Sequence, residues 1–224
     1  MADELNSGEL FTDIRKAMRL LYEYQRRVQG TVFEIKSLLN LSPTGRIGIN
    51  KLFSDPPTQS KSRYGQFQLW PGFWAWDYLF PMAMEYYLGE RETADGNGSF
   101  CLSVIQATDT GFFDARRQGS SPDPIDTKTF RDADLSKTVA LFVMELKTKE
   151  SDWDAVRWTR DRMNADLETW LNAPDDTIFY ETGDGNHFIV VKKEWFELIS
   201  KEQIASVLAD ICQRVSDKTG YSIY

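Results

Sequence analysis

The chain has 224 residues, 42% of them hydrophobic and 27% charged, with a formal net charge of −8. That size and balance suit a globular domain with an appendage, whose core needs neither a metal nor a disulfide scaffold. An acidic surface repels phosphate backbones, which argues against broad non-specific nucleic-acid binding.

The charge is unevenly spread. Residues 1–70 carry 10 Lys/Arg against 7 Asp/Glu, and residues 71–224 carry 16 against 27. The basic part is expected to meet its own acidic body or an acidic partner. Cys101 and Cys212 show no paired spacing, as expected of thiols in a reducing compartment. The polar N-terminus lacks the basic start and apolar stretch of a signal peptide. No apolar run approaches the roughly 20 residues that cross a bilayer. The cytoplasm is therefore the expected location, with no membrane contact.

Residues 1–41 are read as a long helix, from about Ser7 to Leu39. Phe11, Ile14, Met18, Leu21, Gln25, Val28, Val32, Ile35 and Leu39 recur at alternating steps of three and four. That is the period of a coiled-coil-like seam. The seam is expected to pack on another chain, giving a homo-oligomer or a complex with a protein partner. Gln25 is its polar member, and pairing with its symmetry mate would set the register.

Residues 42–69 read as a loop or linker, broken by Pro43, Gly45, Gly48, Pro56 and Pro57. Residues 70–224 read as an α+β domain. It opens on an aromatic cluster between Trp70 and Pro81. Trp74 and Trp76 are expected in the core, because large aromatics are mostly buried.

Residues 82–92 admit a helix or a strand. The turn chemistry of Ala94 to Gly98 favours a strand with a returning partner after it. Residues 111–118 are expected to extend the sheet briefly. Thr138 to Thr148 is apolar on both faces, the mark of a central strand. A helix is predicted from Ser151, with Asp154 as a start signal and Asn172-Ala173-Pro174 as its end. A hairpin across Gly183 to Asn186 follows. The last helix is predicted from Ser200, with Gln203 completing a capping box and Gly220 closing it. The expected fold is a mostly antiparallel or mixed sheet of about five strands, with the long N-terminal helix and two further helices packed on it.

His187 is the single histidine, so catalytic triads and histidine-rich zinc sites are excluded. The two Asp-Gly-Asn turns lack the ligand spacing of a calcium loop and read as hairpin turns. No phosphate-binding glycine loop or hydrolase motif is present.

Glu145 and Lys147 stand at positions i and i+2 at the end of the central strand, so both point to one face. Asp114 lies upstream, on a segment read as a neighbouring strand. An Asp with a Glu-x-Lys at a strand end resembles the PD-(D/E)XK nuclease family. The resemblance implies that Asp114 and Glu145 hold Mg²⁺ or Mn²⁺ and that Lys147 assists the attacking water or stabilises charge. The leading expectation is a protein-interaction or assembly module without a cofactor, of the adaptor, chaperone or inhibitor type. The metal-dependent nuclease is the alternative.

Overall fold

The computed structural model describes residues 7–41, 83–123, 126–148, 160–181 and 186–223. The elements are helix α1 (Ser7–Leu38), strands β1 (Ala83–Glu92) and β2 (Gly98–Ala107), helix α2 (Gly111–Arg117), strand β3 (Val139–Thr148), helix α3 (Arg160–Asn172), strands β4 (Thr177–Glu181) and β5 (His187–Glu194), and helix α4 (Lys201–Thr219). The five strands form one sheet in the order β1-β2-β3-β5-β4. Every neighbouring pair is antiparallel. The chain is thus an α+β fold with β3 at the centre of the sheet.

Alternation along β3 divides the core in two. Ala140, Phe142, Met144 and Leu146 face one cluster, with Val28, Val32, Ile35 and Leu39 of α1 and Ile204, Leu208, Ile211 and Val215 of α4. Val139, Leu141 and Val143 face the other, with Leu167, Trp170 and Leu171 of α3. A strand buried on both faces reads as a continuous apolar run, as β3 does. Burying each large side chain contributes roughly 1.5–3 kcal/mol.

Local chemistry fixes the ends of the elements. Residues 83–92 form a strand, and the turn after it is closed by the Gly96 N–H donating to the Thr93 carbonyl at 2.9 Å. Gly96 has φ +67°, a conformation that glycine adopts at no steric cost. Ser200 caps α4 as predicted: its hydroxyl accepts from the Gln203 N–H, and the Gln203 side chain accepts from the Ser200 N–H. Gly220 ends that helix in the left-handed conformation.

Residues 111–117 are helix α2, not a brief extension of the sheet. The Asp109 carboxylate accepts from the Gly111 N–H at 2.7 Å and turns the chain out of β2. Phe112 and Ala115, three apart, then bury one helical face. The loop and linker of residues 42–69, the aromatic cluster with Trp74 and Trp76, and the start of α3 around Ser151 and Asp154 lie outside the described residues. Among the described residues no helix is long and apolar enough to cross a membrane.

Candidate functional site

Helix α1 changes character along its length. From Val28 to Leu39 its seam is core: Val28, Ile35 and Leu39 are fully buried and Val32 is 7% exposed. Before Leu21 the same seam faces solvent, with Phe11 58%, Ile14 47% and Met18 62% exposed. Leu21 is half-buried at the changeover. Of the seam residues expected to meet another chain, Val28 and Val32 are therefore spent on the protein's own core. Their β-branched side chains fill the space above Phe100, Phe142 and their neighbours.

Gln25 also turns inward. Its side-chain amide donates to the Tyr86 hydroxyl. Tyr86 in turn donates to Gln106 Oε1 at 3.0 Å. The Gln106 amide donates to Tyr24 Oη at 3.1 Å and to Thr108 Oγ1 at 2.9 Å. This network gives Gln25 partners within its own chain, as a polar group taken out of water requires. Burial pushes the Tyr86 phenol up to about 12, against the lowering effect of the Gln25 bond.

Glu145 and Lys147 share a face of β3, as their spacing requires. Glu145 pairs in register with Cys101, and Lys147 with Ser99. Cys101 in turn pairs with Glu90 of β1, and further along the same face the Ser103 hydroxyl donates to Glu85 at 2.8 Å. Lys147 is 6% exposed. Burial raises the Cys101 thiol well above its ordinary value, and Glu145 and Glu90 raise it further. A thiol so placed is a poor nucleophile.

Asp114 is elsewhere. It lies on helix α2 rather than on a neighbouring strand, accepting from Thr110 Oγ1 at 2.6 Å and from Arg117 at 2.7 Å. The Thr110 N–H donates to the Lys137 carbonyl, which places Asp114 beside the start of β3. Glu145 is six residues further along that strand, roughly 20 Å at strand rise. The structure therefore brings Glu145 and Lys147 together and leaves Asp114 at the opposite end. Among the described residues no group of three or more His, Cys, Asp or Glu is placed to hold a metal ion. The residues do not fit the Mg²⁺ or Mn²⁺ that the nuclease resemblance implies, because one carboxylate of the pair is out of reach.

Among the described residues lie two concave surfaces that no local sequence pattern signals. A cavity of about 350 Å³ lies between α2 and β5, lined by Thr110, Asp114, Arg117, Arg131, Lys137 and Lys192 among others. Its charges are largely satisfied internally: Lys192 donates to the Leu171 and Ala173 carbonyls, and Lys137 pairs with Glu194. A groove of about 750 Å³ runs between α1 and the start of α4, lined by Leu20, Tyr24, Gly30, Ile199, Lys201 and Ile204 among others. Glu34 and Lys201 bridge α1 to α4 at 2.9 Å along it. Both depend on contacts between residues far apart in sequence, which no local pattern announces.

His187 begins β5, packed beside the Phe179 ring at 5.4 Å and the Tyr221 ring at 6.1 Å. The surface that stands out is thus the solvent-facing length of α1, with Leu10, Phe11, Ile14, Met18, Leu20, Tyr22 and Phe33 all exposed. Scattered exposed apolar residues are ordinary, whereas here seven lie on one helix.

No curated protein and no solved structure matches the chain. Residues 4–220 match the family described as PM0109, and the chain belongs to that family.

Proposed function

We propose that the protein is an interaction module that assembles into a homo-oligomer through α1. The observation that supports this is the division of one continuous helix. Its second half is anchored by Val28, Val32, Ile35 and Leu39, while Phe11, Ile14 and Met18 stay in water. Anchoring holds the first half in a fixed direction, so a partner meets a preformed apolar surface and less conformational entropy is lost on binding. Residues 7–20 amount to about 20 Å of helix at 1.5 Å per residue. That is enough for several turns of helix–helix packing.

The test is the mass of the full chain by light scattering over a range of concentrations, beside Met18→Glu. An oligomer that Met18→Glu reduces to a monomer, with helical content unchanged by circular dichroism, supports the proposal. A chain that remains monomeric at high concentration removes it.

A further inference from the structure

The exposed side of α1 carries a second seam, which shares Phe11 and Met18 with the first and diverges from it where the first enters the core. Phe11, Arg15, Met18, Tyr22, Arg26, Gln29 and Phe33 follow one another at steps of four, three, four, four, three and four. Steps of three and four keep successive residues on one helical face. All seven are exposed. Phe11 is 58%, Met18 62%, Tyr22 65% and Phe33 71% exposed, although Phe33 lies in the anchored half between buried Val32 and half-buried Glu34.

The order of steps is the same read from either end, with Tyr22 at its centre. We infer that this seam is a two-fold interface with a second copy of this chain, the two α1 helices running antiparallel and crossing at Tyr22. The inference rests on the homo-oligomer proposed above and specifies its face and direction.

Charge selects antiparallel over parallel. A parallel, in-register pair sets Arg15 against Arg15 and Arg26 against Arg26, and like charges in a seam oppose association. The antiparallel pair sets Arg15 against Gln29 and Arg26 against Met18, while Phe11 meets Phe33 at both ends and Tyr22 meets its own mate. Isologous contact closes the assembly at two copies and leaves no open face for further growth.

The area is adequate. An aromatic side chain buries about 150–250 Å², so covering the exposed parts of Phe11, Tyr22 and Phe33 removes roughly 400 Å² from each copy. A stable interface takes about 800 Å² per partner. The other half comes from Met18, the stems of Arg15 and Arg26, and the flanking Leu10 and Ile14 over about 33 Å of helix.

Cysteine pairing reads the register. Tyr22→Cys, Phe11→Cys and Phe33→Cys are made singly in the full chain, checked by light scattering and mildly oxidised beside the unaltered protein, which accounts for Cys101 and Cys212. Tyr22→Cys is expected to yield a covalent dimer. An equal mixture of Phe11→Cys and Phe33→Cys is expected to cross-link several-fold more than either alone. Phe11→Cys cross-linking best with itself overturns the inference in favour of a parallel pair. A dimer by mass that none of these positions cross-links overturns it too, and leaves the assembly proposal standing if Met18→Glu still dissolves that dimer. A monomer by mass removes both. Gln29→Glu gives an independent reading without cysteine. In the antiparallel pair it faces Arg15 at both symmetry-related positions and tightens the dimer about ten-fold, the effect of two exposed ion pairs. In a parallel pair it faces itself, and weaker association is the opposing result.

Discussion

Tyr86 of β1 donates its hydroxyl proton to Gln106 of β2 at 3.0 Å, and the same oxygen accepts from Gln25 of α1. Gln106 is fully buried and Tyr86 4% exposed. The contact joins the middle of the long helix to the sheet at the point where α1 leaves the core.

Removing that oxygen strands two amides. Tyr86→Phe keeps the ring in place but leaves the Gln25 amide and the Gln106 carbonyl each one partner short. The expected loss is about 1–3 kcal/mol, the cost of an unsatisfied buried polar group. Urea denaturation measures it. The variant also changes the alkaline limb. Tyr86 ionises near 12 in the fold and near 10 when unfolded, so between those values the unfolded chain binds fewer protons than the native one. Stability is full below pH 10 and falls as pH rises toward 12. In Tyr86→Phe that fall is shallower. An identical alkaline slope in both proteins counts against the assignment.

Asp114 is expected to matter for folding and not for a metal. Its two oxygens tie Thr110 and Arg117 to the start of α2. Asp114→Ala removes both contacts and leaves a buried hydroxyl to find water, costing about 1–3 kcal/mol. Thermal melts with and without Mg²⁺ or Mn²⁺ separate the two roles. The expected outcome is a lower melting temperature for the variant and no metal-induced rise in either protein. A rise in the unaltered protein that Asp114→Ala abolishes would restore the metal reading.

The acid limb carries a further test. Asp210 accepts from Arg214 at 3.0 Å, and Arg214 reaches Asp176 at 2.8 Å. The Arg214 bond holds the Asp210 carboxyl below its ordinary value of 3.8. A depressed carboxyl contributes stability above its unfolded value, and that contribution disappears as pH falls through the folded one. Arg214→Met should therefore lower stability at pH 7 by no more than about 1 kcal/mol, because the site is open to solvent. The gap between the two proteins should narrow as pH falls below 3.8. Urea midpoints at pH 7 and pH 3 compare the two conditions, and a gap undiminished at pH 3 means the loss is packing instead.

What the sequence revealed was what local pattern controls. Steps of three and four placed α1, the apolar run of residues 139–146 placed the central strand, and Ser200 with Gln203 placed the start of α4. Two adjacent Phe within residues 111–117 suit a strand, and the Asp109 carboxylate that turns the chain into helix α2 is a tertiary detail of the β2 exit. The pairing of Glu145 with Lys147 followed from strand period alone. The position of Asp114 did not, since it depends on how the loop after β2 is tied to Lys137. The seam of α1 gave the direction of its core face. Its division into a buried and an exposed half depends on where the sheet stops, which no periodicity contains.

Two glycines should respond to alanine with opposite signs. Gly30 lies within α1, and a Cβ there meets nothing within 4 Å. Glycine inside a helix costs roughly 0.5–1 kcal/mol relative to alanine, because the unfolded chain loses more freedom on ordering. Gly30→Ala should stabilise by about that amount. Gly98 begins β2, and a Cβ there falls 2.3 Å from the Lys147 carbonyl oxygen and 2.9 Å from a Tyr221 ring carbon. The carbonyl belongs to the central strand and cannot give way without shifting the β2–β3 ladder. Overpacking of this kind typically costs about 1–3 kcal/mol. Urea midpoints for the two variants should move in opposite directions from that of the unaltered chain. Equal shifts would mean that the close approach of β2 to β3 at Gly98 relaxes without cost. A destabilised Gly30→Ala would mean that the open side of α1 at that position is filled in solution.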